Sequence, residues 1–543
     1  MRIPTLFLQI MNYHSIKNGD VHDETFIKNE AASQYNDIER HEEKYKDCKK
    51  NEKTIEEVVE EIVGKPTIWS VILVVSTMSY GLSVDSLTYS TVFAGLLPYE
   101  KWECISKKCV RLLDNFTDKA HFYSQATLCK SDLKIREDYI FADDNRTSFA
   151  VEWGLFCEGE AQMSFLSSSI FLGAYVGYLL ASPAFDSLGR KKVTIASALL
   201  SFVTVLACGF CSNYYLMASL RFLCGLGENV CWMGLYCWVL EFTPENMTTF
   251  MTVLSHVTHG LGFLLLDLLS YYIKEWRQIF FVVSAITALG TAPMFLIPES
   301  PRFLLTKGKL AEAKASLEVL SRFIGNPKSM EDVDLVYTTH KQDLLMQVKD
   351  FYVFPKLGRQ TVLLASIWFM TCALHYTFNF GWGKFSHDLY LGYVYGGLVT
   401  TAGYLILPVN KLLGKKRCMV FFLSSSCIFY LLAMIDYNIS SNFTLEHLVS
   451  LLGYMTILGS YTLVYQYTGE LTPTSHRGMV YCICASFSRI GSFLGPYIQL
   501  LFTVLDKKIT FGLFAGGSLV CTVIVSFMRD PTGKAMPETP RDL

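Results

Sequence analysis

The sequence predicts an all-α membrane protein in which twelve transmembrane helices form two pseudo-symmetric six-helix halves. Of its 543 residues, 51% are hydrophobic and only 18% are charged, so long stretches must lack charge. Twelve apolar runs follow one another. Each run is close to the ~20 residues that a helix needs to cross a ~30 Å hydrocarbon layer. Two short polar motifs also occur twice, once in each half of the chain.

The repeated motifs indicate that a six-span unit has been duplicated. A basic motif at Gly189–Lys192 recurs at Gly414–Arg417, and an acidic motif at Glu241–Pro244 recurs at Glu470–Pro473. Every copy lies between apolar runs, and both motifs recur at nearly the same offset. Such a pattern is typical of two parallel membrane halves with a binding site where the halves meet.

The first half of the chain begins with a polar segment. Residues 1–65 are mildly acidic and are expected to form a solvated tail. Residues 66–297 are expected to form the first six-helix half, and a long polar loop at 98–161 follows its first span. The six spans are expected at 67–97, 162–182, 193–212, 214–240, 250–273 and 278–297.

The second half is expected within residues 359–528, after a polar linker. The linker, 298–358, is predicted to contain amphipathic helices, and residues 529–543 are expected to form a second tail. The spans of this half are expected at 361–380, 389–409, 418–435, 447–467, 480–503 and 509–528.

Charge and cysteine placement predict the orientation. Short basic loops stay in the cytoplasm, so Arg190–Lys192, Lys411–Arg417 and the 298–358 linker put both termini on that side. The 98–161 loop is then outside, where four clustered cysteines are candidates for disulfides in any of three pairings. Four acceptor triplets for glycosylation fall on the same side. These residues are Cys104, Cys109, Cys129 and Cys157, and Asn115, Asn145, Asn438 and Asn442.

Several functional classes are not expected. A formal net charge of −2 gives no reason to expect a nucleic-acid partner. The sequence contains no pattern typical of a phosphate-binding loop, a metal cluster or an activated nucleophile. We therefore predict neither an enzyme nor a protein with a metal or cofactor.

Ionisable residues inside spans are costly and are candidates for function. Arg489, on the eleventh span, is the principal candidate for a substrate contact, because a guanidinium matches a carboxylate with two parallel hydrogen bonds. Gly491, Gly495 and Pro496 follow it and are expected to loosen the helix. The alternative is that an internal carboxylate neutralises Arg489.

The fourth span carries Arg221, Gly225 and Glu228 near one another around the helix. A structural role for Arg221 and Gly225 is as reasonable as substrate contact. Glu228 is expected to contact substrate, to pair with Arg489 or to bind a proton. The weaker candidates within spans are Asp85, His256, His259 and Asp267.

Aromatic residues are expected to complete the site. Tyr461 and Tyr465 are four residues apart on the tenth span, and His375 and Tyr376 lie on the seventh. Aromatic faces with polar tips suit flat amphipathic ions, although packing between helices is the alternative for each ring.

Five segments carry a resemblance to the organic ion transporter family of the major facilitator superfamily, which covers roughly residues 66–540. They are Val151–Cys157, Phe185–Lys192, Pro298–Leu304, Gly469–Thr474 and Pro537–Thr539. The chain departs from the family pattern at Ser182, Ser187 and Thr248.

The resemblance implies a plasma-membrane transporter of small organic ions that works by alternating access. Carriers of anions and of carnitine in this family typically have Arg at the place of Arg489, which implies organic anions or zwitterions as substrates, with a possible coupling ion or counter-substrate. An organic cation transporter and a non-transporting receptor or scaffold with this fold remain alternatives.

Charged residues at the cytoplasmic ends of the spans are expected to form a gate that closes and opens during transport. The gate candidates are Asp186, Gly189, Arg190, Glu241, Arg302, Glu470 and Arg477. Each exposed pair is expected to contribute only ~0–1 kcal/mol. The alternative for the basic members is that they simply fix topology.

Overall fold

A computed structural model describes the chain in segments that include every helix discussed below. The described residues are 52–53, 58–59, 68–95, 102–104, 139–141, 147–155, 159–243, 245–323, 334–335, 344–382, 389–405, 413–435, 445–473, 476–505, 507–531, 537 and 540–542.

The first half consists of six long helices and one short one. They are α1 (Ile68–Ala94), the short α2 (Phe149–Trp153), α3 (Glu160–Leu188), α4 (Arg190–Cys208), α5 (Tyr214–Glu241), α6 (Glu245–Tyr272) and α7 (Trp276–Thr291). A 3-10 turn, Ala292–Leu296, extends α7. Three short helices follow in the linker: α8 (Pro301–Thr306), α9 (Leu310–Phe323) and α10 (Leu344–Val353).

The second half also has six long helices. They are α11 (Pro355–Asn379), α12 (Leu389–Leu405), α13 (Lys415–Ala433), α14 (Leu445–Leu471), α15 (Arg477–Val504) and α16 (Lys507–Ser526). A 3-10 turn at Pro540–Asp542 lies near the C-terminus.

The all-α membrane architecture is confirmed, and the span count is confirmed for ten helices. Within the described residues, α3 to α7, α11 and α13 to α16 are long and apolar enough to cross a membrane. The first and eighth predicted spans correspond to α1, with 27 residues, and α12, with 17 described residues. Several Ser and Thr side chains of α1 bond back to its own carbonyls, as Thr77 does to Leu73 at 2.8 Å.

Four short strands were not predicted. β1 (Glu52–Lys53) pairs in parallel with β4 (Asp334–Leu335), in a small unit made of residues 1–54 and 332–336. In the predicted outer loop, β2 (Trp102–Cys104) pairs antiparallel with β3 (Tyr139–Phe141), and Cys104 lies opposite Tyr139. The other three candidate cysteines and all four candidate glycosylation sites lie outside the described residues.

Close helix packing depends on glycines at crossing points. Gly225 lies where α5 crosses α3, and a Cβ there would overlap the backbone carbonyl of Ile170. Gly262 brings α6 close to the backbone of α1, where a Cβ would lie 2.6 Å from the carbonyl oxygen of Leu82. Gly491 faces the backbone of Phe369 on α11, so this glycine serves close packing rather than loosening α15, which runs unbroken through Pro496.

The two halves contact each other chiefly where α3 packs on α15 and α6 packs on α12. The copies of the basic motif lie at one end of the bundle, which we call the basic end. Ala94 and Asn379, the last residues of α1 and α11, lie at the other end, which we call the opposite end.

Replacement of Gly225 by alanine is expected to lower the melting temperature of the detergent-solubilised protein. The new methyl group would collide with a carbonyl on α3, and such overpacking typically costs about 1–3 kcal/mol. Gly516→Ala on α16 is the matched control, because its Cβ would meet nothing within 4 Å. Equal melting temperatures for the two variants would contradict this account of the α3–α5 crossing.

Candidate functional site

Arg489 lies near the middle of α15 and is buried, with 4% of its surface exposed. Its Nη1 donates a hydrogen bond to the hydroxyl of Tyr376 at 3.2 Å. The guanidinium also faces the rings of Tyr178 and Tyr376, 5.4 and 5.9 Å from their centroids. Tyr178 belongs to the first half, so Arg489 lies where the halves meet. Sequence analysis did not single out Tyr178.

No carboxylate neutralises Arg489 within the described part of the chain. None lies within 4.0 Å of its guanidinium, and its Nε has no hydrogen-bond partner. Glu228 does not pair with it: one carboxylate oxygen accepts a hydrogen bond from Thr88 at 3.2 Å, and the other has none. Desolvating a guanidinium is costly, and the contacts described here compensate that cost only in part.

Arg221 has a structural role. Its Nη1 donates to the carbonyl of Leu87 at 2.6 Å and to the hydroxyl of Ser90 at 3.2 Å, and its Nη2 donates to the carbonyl of Thr88 at 2.9 Å. These three oxygens belong to α1. Arg221 therefore ties α5 to α1.

The predicted aromatic residues assemble on α11 and α14, beside Arg489. His375 stacks in parallel on Tyr461, with 4.9 Å between ring centroids, and on Tyr454, with 5.7 Å. The hydroxyls of Tyr461 and Tyr465 are 3.3 Å apart. The structure therefore brings His375, Tyr376, Tyr461 and Tyr465 into one aromatic wall. Sequence analysis did not single out Tyr454, because nothing in the sequence distinguishes it from the other tyrosines among the 30 in the chain.

Asn379 connects this wall to the first half. Its Nδ2 donates to the hydroxyl of Tyr89 on α1 at 2.7 Å, and its Oδ1 accepts from Tyr454 at 2.6 Å and from Trp382 at 2.9 Å. His375 Nε2 is 3.2 Å from the same amide. One asparagine thus joins α1, α11 and α14 by hydrogen bonds.

Aromatic rings close the opposite end around this asparagine. Phe93 on α1 and Phe263 on α6 pack on Tyr393 of α12, at centroid distances of 4.8 and 5.5 Å. Phe171 on α3 packs against Tyr376 on α11 at 4.6 Å. The halves are in contact at the opposite end in this conformation.

A second charged group lies in the membrane interior, between α1 and α6. His259 Nδ1 is 3.3 Å from Asp85 Oδ1, and the two side chains keep 13% and 14% of their surface exposed. Trp232 packs edge-on against His259 at 4.5 Å, and Tyr404 of the second half lies 6.4 Å away. Sequence analysis could not pair the two residues, because they are far apart along the chain. Asp267, another weak candidate, is buried nearer the opposite end of α6.

The repeated motifs meet each other inside each half. In the first half, Arg190 Nε is 3.4 Å from Glu241 Oε1, and its Nη1 is 3.5 Å from Asp186. In the second half, Lys415 pairs with Glu470. Each of these three ion pairs therefore joins residues of one half. These ion pairs do not connect one half to the other.

The first residue of each basic motif is a glycine with a positive φ angle, which other residues rarely adopt. Gly189 has φ 100° and ψ 163°, and Gly414 has φ 79° and ψ 151°. The repeat extends to the next lysines. Lys191 donates to the carbonyl of Phe295 after α7, and Lys416 donates to the carbonyls of Ser526 and Met528 at the end of α16. The motif that is repeated in the sequence therefore makes the same kind of lysine–carbonyl contact in each half.

Glu299 is a motif residue whose role sequence analysis missed. Its Oε1 accepts the backbone N–H groups of Arg190 at 2.9 Å and Lys191 at 3.0 Å, which caps the start of α4. The remaining gate candidates, Arg302 and Arg477, begin the helices α8 and α15 and lie within electrostatic range of each other. The gating role of all these residues stays a prediction.

Charge reversal in Lys415→Glu or in Glu470→Lys is expected to lower surface expression and thermal stability, because each puts like charges at one short contact. The double variant K415E/E470K is expected to recover most of the loss, since the pair is restored within one half. Surface biotinylation measures the first property, and fluorescence-detected size-exclusion chromatography after a heating series measures the second.

The matched control for this reversal combines one charge reversal in each half. R190E/E470R removes one partner from each pair without restoring either contact. Recovery in this variant, or none in K415E/E470K, would show that the pairs do not act within the halves.

Comparison with known proteins agrees with this architecture. Residues 112–375 match the family described as sugar (and other) transporter, and residues 357–542 match the Major Facilitator Superfamily. A solute carrier family 22 member 15-like protein of Xenopus laevis is 26% identical, over 75% of this chain and 85% of its own. An organic cation transporter protein of Drosophila melanogaster is 24% identical, over 77% of each chain.

A solved structure shares the fold. The xylose transporter XylE from E. coli, in a partially occluded inward open conformation, superposes with a TM-score of 0.55 and 13% identity. The alignment covers 86% of this chain and all of XylE. The relatives agree with the resemblance drawn from the motifs: the chain is similar to transporters of the major facilitator superfamily and, among them, to the organic ion transporters of solute carrier family 22.

Proposed function

We propose that this protein is a plasma-membrane carrier of small organic anions or zwitterions, with both termini in the cytoplasm. Its relatives support transport of organic ions in general. The choice of substrate charge rests on Arg489, a buried guanidinium with no carboxylate beside it in the described part of the chain. A carboxylate on the substrate supplies the missing partner and forms two parallel charge-assisted hydrogen bonds.

The aromatic wall supports an organic substrate. The rings of Tyr178 and Tyr376 flank the guanidinium, and those of His375 and Tyr461 continue the wall. An anion with an apolar body therefore meets charge at one end and ring faces along its length.

The braced halves support alternating access. Ion pairs and lysine–carbonyl contacts keep the helices of each half together at the basic end. The hydrogen bond between Tyr89 and Asn379, by contrast, joins the halves at the opposite end. Rocking of the halves breaks that contact to admit substrate from outside, while the internal braces stay intact.

Saturable uptake of labelled aromatic or aliphatic carboxylates is expected in cells that express the protein at their surface. Arg489→Ala is expected to reduce uptake about 10- to 100-fold, because a hydrogen bond to a charged group contributes about 1.5–3 kcal/mol. Arg489→Lys should retain part of the activity, since it keeps the charge and loses the planar fork. The control is Arg322→Ala, an exposed arginine on α9.

Parent protein at the surface with no flux for any carboxylate would overturn the proposal. So would a parent flux that Arg489→Ala leaves unchanged at equal surface expression.

A cation carrier is the second candidate, because Asp85 is a partly exposed carboxylate within the spans. In that case Arg489→Asp preserves or increases uptake of quaternary amines. An anion carrier loses its carboxylate uptake in the same variant and gains no amine uptake. A receptor or scaffold binds its ligand and is stabilised by it without any flux.

A further inference from the structure

We propose that the Asp85–His259 pair is a proton-binding site, and that it couples the uptake of a monovalent organic anion to the uptake of one proton. This inference rests on the proposed function and narrows it to proton–anion symport. The pair lies inside the spans, where ionisable groups are costly, and neither residue contributes to the Arg489 site.

Close packing of α1 on α6 holds the two side chains together. Gly81 faces Thr258, and Gly262 faces the backbone of Leu82, so neither glycine tolerates a side chain. The hydroxyl of Ser86 donates to the carbonyl of Gly262 at 3.0 Å. These contacts flank Asp85 and His259, so the 3.3 Å separation is fixed by both helices.

Of the two carboxylic acids in this region, Asp85 and Glu228, Asp85 is the more accessible. Asp85 keeps 14% of its side-chain surface, whereas Glu228 is 1% exposed and accepts a hydrogen bond from Thr88. A site that exchanges protons with each side of the membrane in turn needs such access. Asp85 therefore meets this requirement better than Glu228 does.

Other titratable and charged groups surround the pair on every element packed against it. Those within electrostatic range are Glu228 on α5, His256 on α6, Tyr376 and His375 on α11, Tyr404 on α12, Tyr454 on α14 and Tyr89 on α1. Arg221 on α5 is hydrogen-bonded to the carbonyl of Leu87, and Glu228 accepts a hydrogen bond from Thr88. Arg489 lies beyond Tyr376, to which it is hydrogen-bonded.

Charge balance explains why this pair couples a proton to an anion. Without an added proton the pair carries one negative charge, on Asp85, and His259 is neutral. A proton taken from the outer solution makes His259 an imidazolium, so the pair becomes neutral. Arg489 stays positive in both states.

The net charge of the two sites is therefore zero in only two states. The empty carrier combines Arg489 with the deprotonated pair, and the loaded carrier combines Arg489, a bound anion and the protonated pair. An anion alone leaves one uncompensated negative charge, and a proton alone leaves one positive charge. A net charge in a dehydrated site is costly, so only the empty and the fully loaded carrier change conformation readily.

Purified protein in liposomes tests the coupling directly. The probe is a radiolabelled aromatic sulfonate, whose charge is permanent, so the substrate itself cannot carry the proton across the membrane. Membrane potential is clamped with valinomycin and potassium, and an internal pH dye reports proton entry. With the outside about one pH unit more acidic, one proton per anion predicts about tenfold accumulation.

Two variants and two controls locate the proton site. Asp85→Asn and His259→Gln are both expected to abolish accumulation and probe-induced acidification. Asp85→Asn is expected to keep exchange of labelled for unlabelled probe at equal pH, whereas His259→Gln leaves the negative charge of Asp85 in place and is expected to slow that exchange. Retained exchange shows that Asp85→Asn is folded and binds the anion. His256→Gln removes a histidine of the same helix that is bonded to the carbonyl of Thr252, and it is expected to keep the response to pH. Glu228→Gln tests the competing acid.

The outcomes separate this inference from the proposed function. No flux of the sulfonate or of any carboxylate in the parent protein overturns the proposed function. Parent flux that ignores the pH gradient overturns proton coupling alone. Loss of coupling in Glu228→Gln but not in Asp85→Asn overturns the assignment of the pair.

Discussion

The organisation of this protein depends on how positive charge is accommodated inside a membrane. Arg221 is satisfied by three oxygens of α1, whereas Arg489 has one tyrosine hydroxyl and two ring faces. Ring faces contribute about 0.5–2 kcal/mol, which is less than the cost of about 2.5–3.5 kcal/mol or more for an arginine at the centre of a membrane. Arg221 therefore has three hydrogen-bond acceptors and Arg489 has one, and the Nε of each lacks a partner among the described residues. In the proposed function, a bound anion supplies the further acceptors that Arg489 lacks.

Ion pairs between spans at the basic end are described within the halves, whereas glycine crossings occur both within and between them, as Gly225 on α3 and Gly260 on Thr401 show. Between the halves at the opposite end, the described polar contacts are neutral hydrogen bonds. They join Asn379 to Tyr89, Ser168 to the carbonyl of Phe493 and Tyr390 to the carbonyl of Ser270, and aromatic rings pack around them. A neutral hydrogen bond contributes only about 0.5–1.5 kcal/mol, so it can be broken during a conformational cycle. Two stiff bodies with a weak junction can alternate between states whose free energies are close.

The sequence was sufficient for features that depend on local pattern. Apolar runs predicted the long helices, and the repeated motifs predicted a duplication that recurs in the backbone of Gly189 and Gly414. Contacts between distant helices could not be predicted in this way. The pairing of Asp85 with His259 depends on how α1 and α6 cross, and the capping role of Glu299 depends on a turn of the linker. Gly491 was interpreted as a loosening residue, because sequence alone does not reveal the carbonyl that it approaches.

The residue that pairs with Asp85 determines which charges the pair can carry. A lysine or arginine there would keep the pair neutral at all physiological pH values, and the empty site would retain the full charge of Arg489. An amide would leave the negative charge of Asp85 permanent and would disfavour the anion. Imidazole is the side chain whose charge changes most readily near neutral pH. With His259, the pair alternates between one negative charge and none, which is the change that binding of a single anion beside Arg489 requires.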